Sequence, residues 1–285
     1  MVIEKAKEVG FCYGVRRAIE ILEKAAHEHG GVETLGAVVH NEQVLQRLAK
    51  LGITVVKSVD QIRGKVVAIS SHGVSPEVED RLRASGLIRV DTTCPFVRRA
   101  QIAARRLAES GFYVVIYGDA GHPEVKGILG WAGGKGLASL EAGSLGSASG
   151  GLPRRIGVLS QTTQIPEHFT DFVRKLVESA LTRDAEIRII DTICHDIRKR
   201  QAVSLELAKT VDLMLVVGGR SSANTRRLTE LCASVTATRQ IETAENIDAS
   251  WLKGKRRIGV TSGASTARET IDEVLAGLEA LRKKG

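Results

Sequence analysis

The 285-residue chain is sparing with aromatic residues (4%), with proline (five) and with methionine (two), and it holds only four cysteines. No apolar run approaches the ~20 residues of a membrane-spanning helix. The opening Met1-Val2-Ile3-Glu4-Lys5-Ala6-Lys7 has no hydrophobic leader region. These two absences predict a protein that touches no membrane and works in the cytoplasm. Four cysteines in a chain this long are too few for a disulfide-stapled secreted scaffold, so a reducing compartment is expected. There is no Cys-x-x-Cys pair of the kind that holds structural zinc and no Walker-type phosphate loop. The net charge is +8, yet there is no helix-turn-helix, no basic tail and no interleaving of aromatic with basic residues, so nucleic acid is not the expected partner. A phosphorylated ligand or an acidic protein partner remains. Most basic residues, including Arg16, Arg17, Arg98, Arg99, Arg105, Arg106, Arg198, Lys199 and Arg200, read as solvated helix faces. With 43% hydrophobic residues the chain can bury a sizeable core.

What the cysteines do have is a pattern. Three of them open the same kind of segment: Gly10-Phe11-Cys12-Tyr13-Gly14-Val15-Arg16-Arg17-Ala18, Thr92-Thr93-Cys94-Pro95-Phe96-Val97-Arg98-Arg99-Ala100 and Thr192-Ile193-Cys194-His195-Asp196-Ile197-Arg198-Lys199-Arg200. After each thiol come a β-branched residue three places on, a basic pair, and a run with helical apolar spacing that reaches Ala25, Ala108 or Ala208. Each thiol is therefore expected at a helix N-terminus, where unpaired N–H groups and the helix dipole favour thiolate. Pro95, directly after Cys94, suits a first helical position. A single cysteine reads as core, but three at one motif position read as ligands. Iron–sulfur clusters are what such thiolates hold, and three thiolates leave one iron open. Cys232 lacks the motif and reads as helix packing.

The repeat continues past the cysteines. Apolar strand-like runs at 32–39, 112–117 and 211–217 lead into His40-Asn41, into Gly121-His122-Pro123-Glu124 and into Gly218-Gly219-Arg220-Ser221-Ser222-Ala223-Asn224. A second set at 66–70, 156–159 and 258–260 leads into Ser71-His72-Gly73-Val74, Ser160-Gln161-Thr162-Thr163 and Thr261-Ser262-Gly263-Ala264-Ser265. Alternating strand and helix patterns predict small parallel sheets flanked by helices, with ligands beyond the carboxyl ends of the strands. Residues 132–155, rich in Gly, Ser and Ala, are expected to form a loop with at most a short helix.

The loops gather His40, His72, His122, Thr162, Ser222, Ser265, Gln161, Asn224 and one carboxylate, Glu124. Such side chains and helix N-termini bind phosphate oxygens without a Walker loop. Zinc on the three histidines is the competing reading, since three His with an open position is a catalytic zinc pattern, but it leaves the thiol repeat unexplained. A carboxyl in a partly dry pocket delivers protons near neutral pH, which assigns Glu124 as the acid rather than as a helix cap.

Together, Gly10-Phe11-Cys12, Val39-His40-Asn41, Ser71-His72-Gly73-Val74, Thr93-Cys94-Pro95, Gly121-His122-Pro123-Glu124, Ser160-Gln161-Thr162-Thr163, Asp191-Thr192-Ile193-Cys194 and Gly263-Ala264-Ser265 resemble, in order and over nearly the whole chain, the signature of the 4-hydroxy-3-methylbut-2-enyl diphosphate reductases, the LytB-type iron–sulfur enzymes. The resemblance implies an α/β trefoil of three small parallel-sheet domains, with pseudo-threefold arrangement around a central cluster. The expected domains are 13–93, 94–192 and 193–285, with segment 1–12 joining the third. It implies one [4Fe–4S] cluster on Cys12, Cys94 and Cys194 with one open iron. It implies a diphosphate gripped by His40, His72, His122, Ser222, Asn224 and Ser265, proton relay by Glu124, and Thr162 near the substrate hydroxyl. The implied reaction is the last step of the non-mevalonate pathway. Two electrons and two protons remove that hydroxyl as water and leave isopentenyl or dimethylallyl diphosphate. Ferredoxin or flavodoxin, both acidic, is the implied electron donor. One departure stands out: Ala223 occupies a position where many members have a hydroxyl. The alternative reading is an iron–sulfur redox sensor that binds nucleic acid.

Overall fold

A computed structural model describes residues 1–39, 41–143, 153–180 and 184–284. Short strands alternate with helices from end to end: β1 (Val2–Lys5), α1 (Tyr13–His29), β2 (Val32–Leu35), α2 (Glu42–Lys50), β3 (Ile53–Val56), β4 (Val66–Ile69), α3 (Pro76–Ala84), β5 (Ile88–Asp91), α4 (Pro95–Glu109), β6 (Tyr113–Tyr117), α5 (Pro123–Trp131), β7 (Gly136–Ser139), β8 (Arg155–Ser160), α6 (Pro166–Ala180), β9 (Glu186–Ile189), α7 (His195–Ala208), β10 (Leu213–Val217), α8 (Ala223–Ala233), β11 (Thr238–Ile241), β12 (Arg257–Ser262) and α9 (Arg268–Lys284). The strands form three four-stranded sheets, ordered β3-β2-β4-β5, β7-β6-β8-β9 and β11-β10-β12-β1. Every pairing in them is parallel. This is the expected α/β class, with the N-terminal strand completing the third sheet.

The sheets repeat one plan. In each, the two inner strands are largely buried, and β4, β6 and β10 carry the apolar runs seen in the sequence, as strands covered on both faces do. The fourth strand of each (β5, β9 or β1) is the one that runs on toward a cysteine.

The chain divides into two compact units. One comprises 1–16, 39–48 and 195–285 and holds the sheet containing β1. Its core joins Leu213, Leu215, Val217, Ile258 and Val260 to Val274 and Leu278 of α9. On the opposite face Met214 and Val216 meet Leu228 and Cys232 of α8, so Cys232 is helix packing, as its sequence context predicts. The other unit comprises 17–38 and 49–194 and holds the other two sheets. There Phe112, Val114, Ile116 and Leu159 pack against α4 and α5.

The structure departs from the sequence reading in two places. Residues 136–139 form β7, held by backbone pairing to β6; residues 144–152, also expected as loop, lie outside the described residues. Arg200, assigned to a solvated face, is 4% exposed.

Candidate active site

Each motif cysteine is fixed by the same bond. Cys12 N–H donates to the Ala264 carbonyl at 3.0 Å, Cys94 N–H to Ser71 at 3.0 Å and Cys194 N–H to Thr162 at 2.9 Å. Each acceptor lies in the loop that follows the neighbouring inner strand, so one hydrogen bond ties a thiol to a loop of polar side chains. Helices α1, α4 and α7 then begin directly after Cys12, Cys94 and Cys194. The second and third motifs share a further device. The Asp91 carboxylate accepts from Thr93 N–H at 2.8 Å, and Asp191 accepts from Ile193 N–H at 3.0 Å. Thr92 Oγ1 donates to the Ile69 carbonyl, and Thr192 Oγ1 to Ser160.

Cys12 stands directly before α1, as expected, but the net shift of its thiol is upward, against the expected bias toward thiolate. Burial pushes the Cys12 thiol up, while the N–H groups of Val15 and Gly14 and the positive charge of Arg200 pull it back toward thiolate; Asp196 opposes them. Arg200 fixes the approach to the thiol. Its Nη2 donates to the Gly10 carbonyl at 2.8 Å and its Nη1 to the Ser262 carbonyl at 3.0 Å and to Glu8 at 3.3 Å. Its Nε is buried with no partner. Burial lowers the Arg200 pKa, and the charges of Cys12, Glu8 and Asp196 offset that only in part. Nη1 also reaches the Ser262 hydroxyl at 3.3 Å; a buried cation held by neutral oxygens is costly, and negative charge at the neighbouring sulfur would offset that cost. Asp196 of α7 in turn accepts from Tyr13 N–H at the start of α1, at 3.1 Å.

In the larger unit, Glu124 sits in the first turn of α5 with 2% exposure. Thr162 N–H donates to one of its carboxylate oxygens at 2.7 Å and Thr162 Oγ1 to the other at 3.0 Å. The expected acid and the expected hydroxyl are thus a bonded pair. His122 caps α5: its Nδ1 accepts from Glu124 N–H at 3.2 Å, which puts the proton of the neutral ring on Nε2. The His72 and His122 rings meet edge to face, with centroids 5.3 Å apart.

In the smaller unit, Ser222 caps α8 by accepting from Thr225 N–H at 3.3 Å. Asn224 Nδ2 and Thr225 Oγ1 are buried without partners. Unpaired buried donors cost about 1–3 kcal/mol each, and an anionic ligand is the natural remedy at a helix N-terminus. Asn41 Nδ2 donates to the Ser265 carbonyl at 3.1 Å, and Asn41 Oδ1 accepts from Val44 N–H at the head of α2. His40 lies outside the described residues. Ala223 is buried and brings no hydroxyl.

None of the four cysteines is in a disulfide, and no group of three or more His, Cys, Asp or Glu side chains among the described residues is drawn together as a metal site. Three soft sulfur donors, each beside helix-start N–H groups, are nonetheless the chemistry that iron–sulfur clusters take. Sequence reasoning missed Arg200, Thr225 and Asn41. Arg200 carried one signal, as the third consecutive basic residue where the other motifs have two.

Comparison with known proteins matches residues 3–279 to a family model described as LytB protein. A 4-hydroxy-3-methylbut-2-enyl diphosphate reductase of Dehalococcoides mccartyi (strain CBDB1) is 62% identical over 281 residues, 99% of each chain. A protein of the same name from Geobacter sulfurreducens is 43% identical over 291 residues, spanning 100% of each. The solved structure of (E)-4-hydroxy-3-methyl-but-2-enyl diphosphate reductase, "the Terminal Enzyme of the Non-Mevalonate Pathway", matches with a TM-score of 0.71 at 36% identity, covering 98% of this chain and 100% of that one. The Plasmodium falciparum E-1-hydroxy-2-methyl-but-2-enyl-4-diphosphate reductase, 24% identical, shares the fold with a TM-score of 0.88 over 96% of this chain and 87% of its own.

Proposed function

The chain belongs to the LytB protein family, and from that membership we propose how its own residues carry out the reaction its relatives are named for. It acts as a 4-hydroxy-3-methylbut-2-enyl diphosphate reductase, an oxidoreductase of the non-mevalonate isoprenoid pathway. The allylic C–O bond of the substrate breaks, two electrons and two protons enter, and water leaves with isopentenyl or dimethylallyl diphosphate as the organic product.

The observation that carries the assignment of residues is the bond repeated at all three motif cysteines, each N–H reaching the carbonyl of a polar strand-end loop. Cys12, Cys94 and Cys194 would hold a [4Fe–4S] cluster, whose chemistry is single-electron transfer and an open coordination position for oxygen. Glu124 holds the proton that leaves with the hydroxyl. Buried and bonded twice to Thr162, it exchanges that proton across the Thr162 Oγ1 contact. His72, with His122 through the Nε2–H its capping role leaves in place, binds phosphate oxygens, joined by Ser222, Ser265 and the unpartnered Asn224 Nδ2; His40 completes that set. The backbone N–H groups at the head of α8 serve where Ala223 has no hydroxyl. β1 apart, each cysteine motif precedes the strands of one of the three sheets, which supports domains at 13–93, 94–192 and 193–285 with segment 1–12 attached to the third. Ferredoxin or flavodoxin supplies the electrons, in the cytoplasm.

The test is Glu124→Gln, which keeps the shape and the Thr162 N–H bond but removes the exchangeable proton. Turnover falls by about 10²–10⁴, with cluster absorbance and thermal midpoint unchanged. Wild-type turnover in the variant would overturn the assignment of Glu124.

A further inference from the structure

We propose that the exposed face of α4 is the landing site of the electron donor, a small acidic one-electron carrier protein. The inference rests on the reductase reading, since each turnover consumes two electrons that no side chain of this chain supplies.

On the larger unit, α4 and the residue that follows β9 line an open groove of about 530 Å³. Its floor is apolar: Ile102 is 39% exposed and Ile190 36%. Beside it, Ile189 at the end of β9 is 48% exposed. Its rim is cationic, with Arg98, Arg99 and Arg106. Arg98 is committed internally, 2.8 Å from Glu79 and 3.0 Å from Asp91, and lies over the Trp131 ring. Arg99 stacks on Phe96, and among the described residues neither Arg99 nor Arg106 has a carboxylate partner. An apolar floor edged by two cations, Arg99 and Arg106, that have no carboxylate partner among the described residues is the make-up of a transient protein interface whose partner carries the opposite sign. Electron-transfer encounters are of this small, steered kind.

Position supplies the second argument. Pro95 lines the groove and is peptide-bonded to Cys94, so a donor seated here lies against the helix that begins at one of the three thiols. Electron transfer weakens steeply with distance, which makes this short path useful. Each encounter oxidises the donor's centre by one electron, and two encounters balance the reduction of one substrate.

The test compares two reductants on the holoenzyme: an acidic [2Fe–2S] ferredoxin and reduced methyl viologen, a small cation that needs no docking surface. Arg99→Glu with Arg106→Glu should lower kcat/KM for ferredoxin about tenfold or more and flatten its salt dependence. Methyl viologen turnover should stay within about twofold of wild type, since docking governs only the protein donor. Arg99→Gln with Arg106→Gln, a milder pair, should give an intermediate loss. Titration of ferredoxin against both variants by thermophoresis reads docking without turnover. Unchanged ferredoxin kinetics and affinity in the charge-reversed protein would overturn the proposal. So would an Ile102→Asp variant that converts a dimer to a monomer in sedimentation, because the face would then belong to a second copy. Failure of wild type with methyl viologen would count against the reductase reading instead, leaving the ferredoxin titration to decide the docking face.

Discussion

Cys232 and the motif cysteines differ in what surrounds the sulfur, and chemistry follows surroundings. Cys232 is fully buried on α8 against Met214, Val216 and Leu228, and its closest polar contact is the Ser204 carbonyl at 4.0 Å. Burial alone pushes its thiol up to about 12. Below pH ~8.5 the thiol is neutral in folded and unfolded chains alike. Between there and about 12 only the unfolded chain gives up the proton, so stability falls as pH rises, by about 1.4 kcal/mol per unit from this group. Urea midpoints between pH 8 and 11 should therefore drop less steeply for Cys232→Ala than for wild type, although the variant starts lower because of its cavity. Parallel curves would contradict the assignment of a buried neutral thiol. Cys12 keeps helix-start N–H groups and Arg200 at its sulfur, surroundings that its motif position in the sequence set apart from those of Cys232. Arg200 itself was not legible as a buried group, because a basic residue on a helix gives no sign of which carbonyls will surround it.

At the scale of elements, the inner strands were legible and the outer ones were not. β4, β6 and β10 read Val-Val-Ala-Ile, Tyr-Val-Val-Ile-Tyr and Leu-Met-Leu-Val-Val, without a charged residue, because both faces are covered. β5 reads Ile-Arg-Val-Asp and β9 Glu-Ile-Arg-Ile, half exposed. Their strand identity comes from backbone pairing to β4 and β8 rather than from their own side chains. β7 is the extreme case, since Gly136 lies against Val114 with no room for a Cβ, and a glycine start reads as loop. The loops that follow the inner strands are held as tightly. Gly73 has φ +66°, and a Cβ there would meet the Gln101 side chain and Thr93 Cγ2. The next carbonyl, Val74, accepts from Trp131 Nε1 at 2.9 Å. Gly73→Ala should lower stability by about 1–3 kcal/mol. It should also raise KM for the diphosphate by displacing His72, read together by denaturant midpoint and steady-state kinetics. A loss of stability with KM unchanged would argue that His72 does not bind substrate.

Across the whole molecule, the sequence carried the α/β class and the threefold repeat, because each rests on local spacing or on motifs that recur; it named Glu124 and Thr162 separately, and their bonding to each other came from the fold. The sequence named Asn224 as a candidate ligand but gave no sign that Asn224 Nδ2 and Thr225 Oγ1 would be buried without partners, because that is a property of packing. The repeat's meaning is joint: three thiols at three helix starts serve one purpose only if they share a ligand. Anaerobic purification followed by an absorbance spectrum, with iron and sulfide analysis and a titration of the substrate diphosphate, tests this most directly. The account predicts a brown protein with a band near about 400 nm, from thiolate-ligated iron, that shifts as the diphosphate is added and disappears in Cys12→Ser, Cys94→Ser and Cys194→Ser alike. A colourless protein, a band indifferent to the diphosphate, or a cluster that survives loss of any one of the three thiols would contradict it.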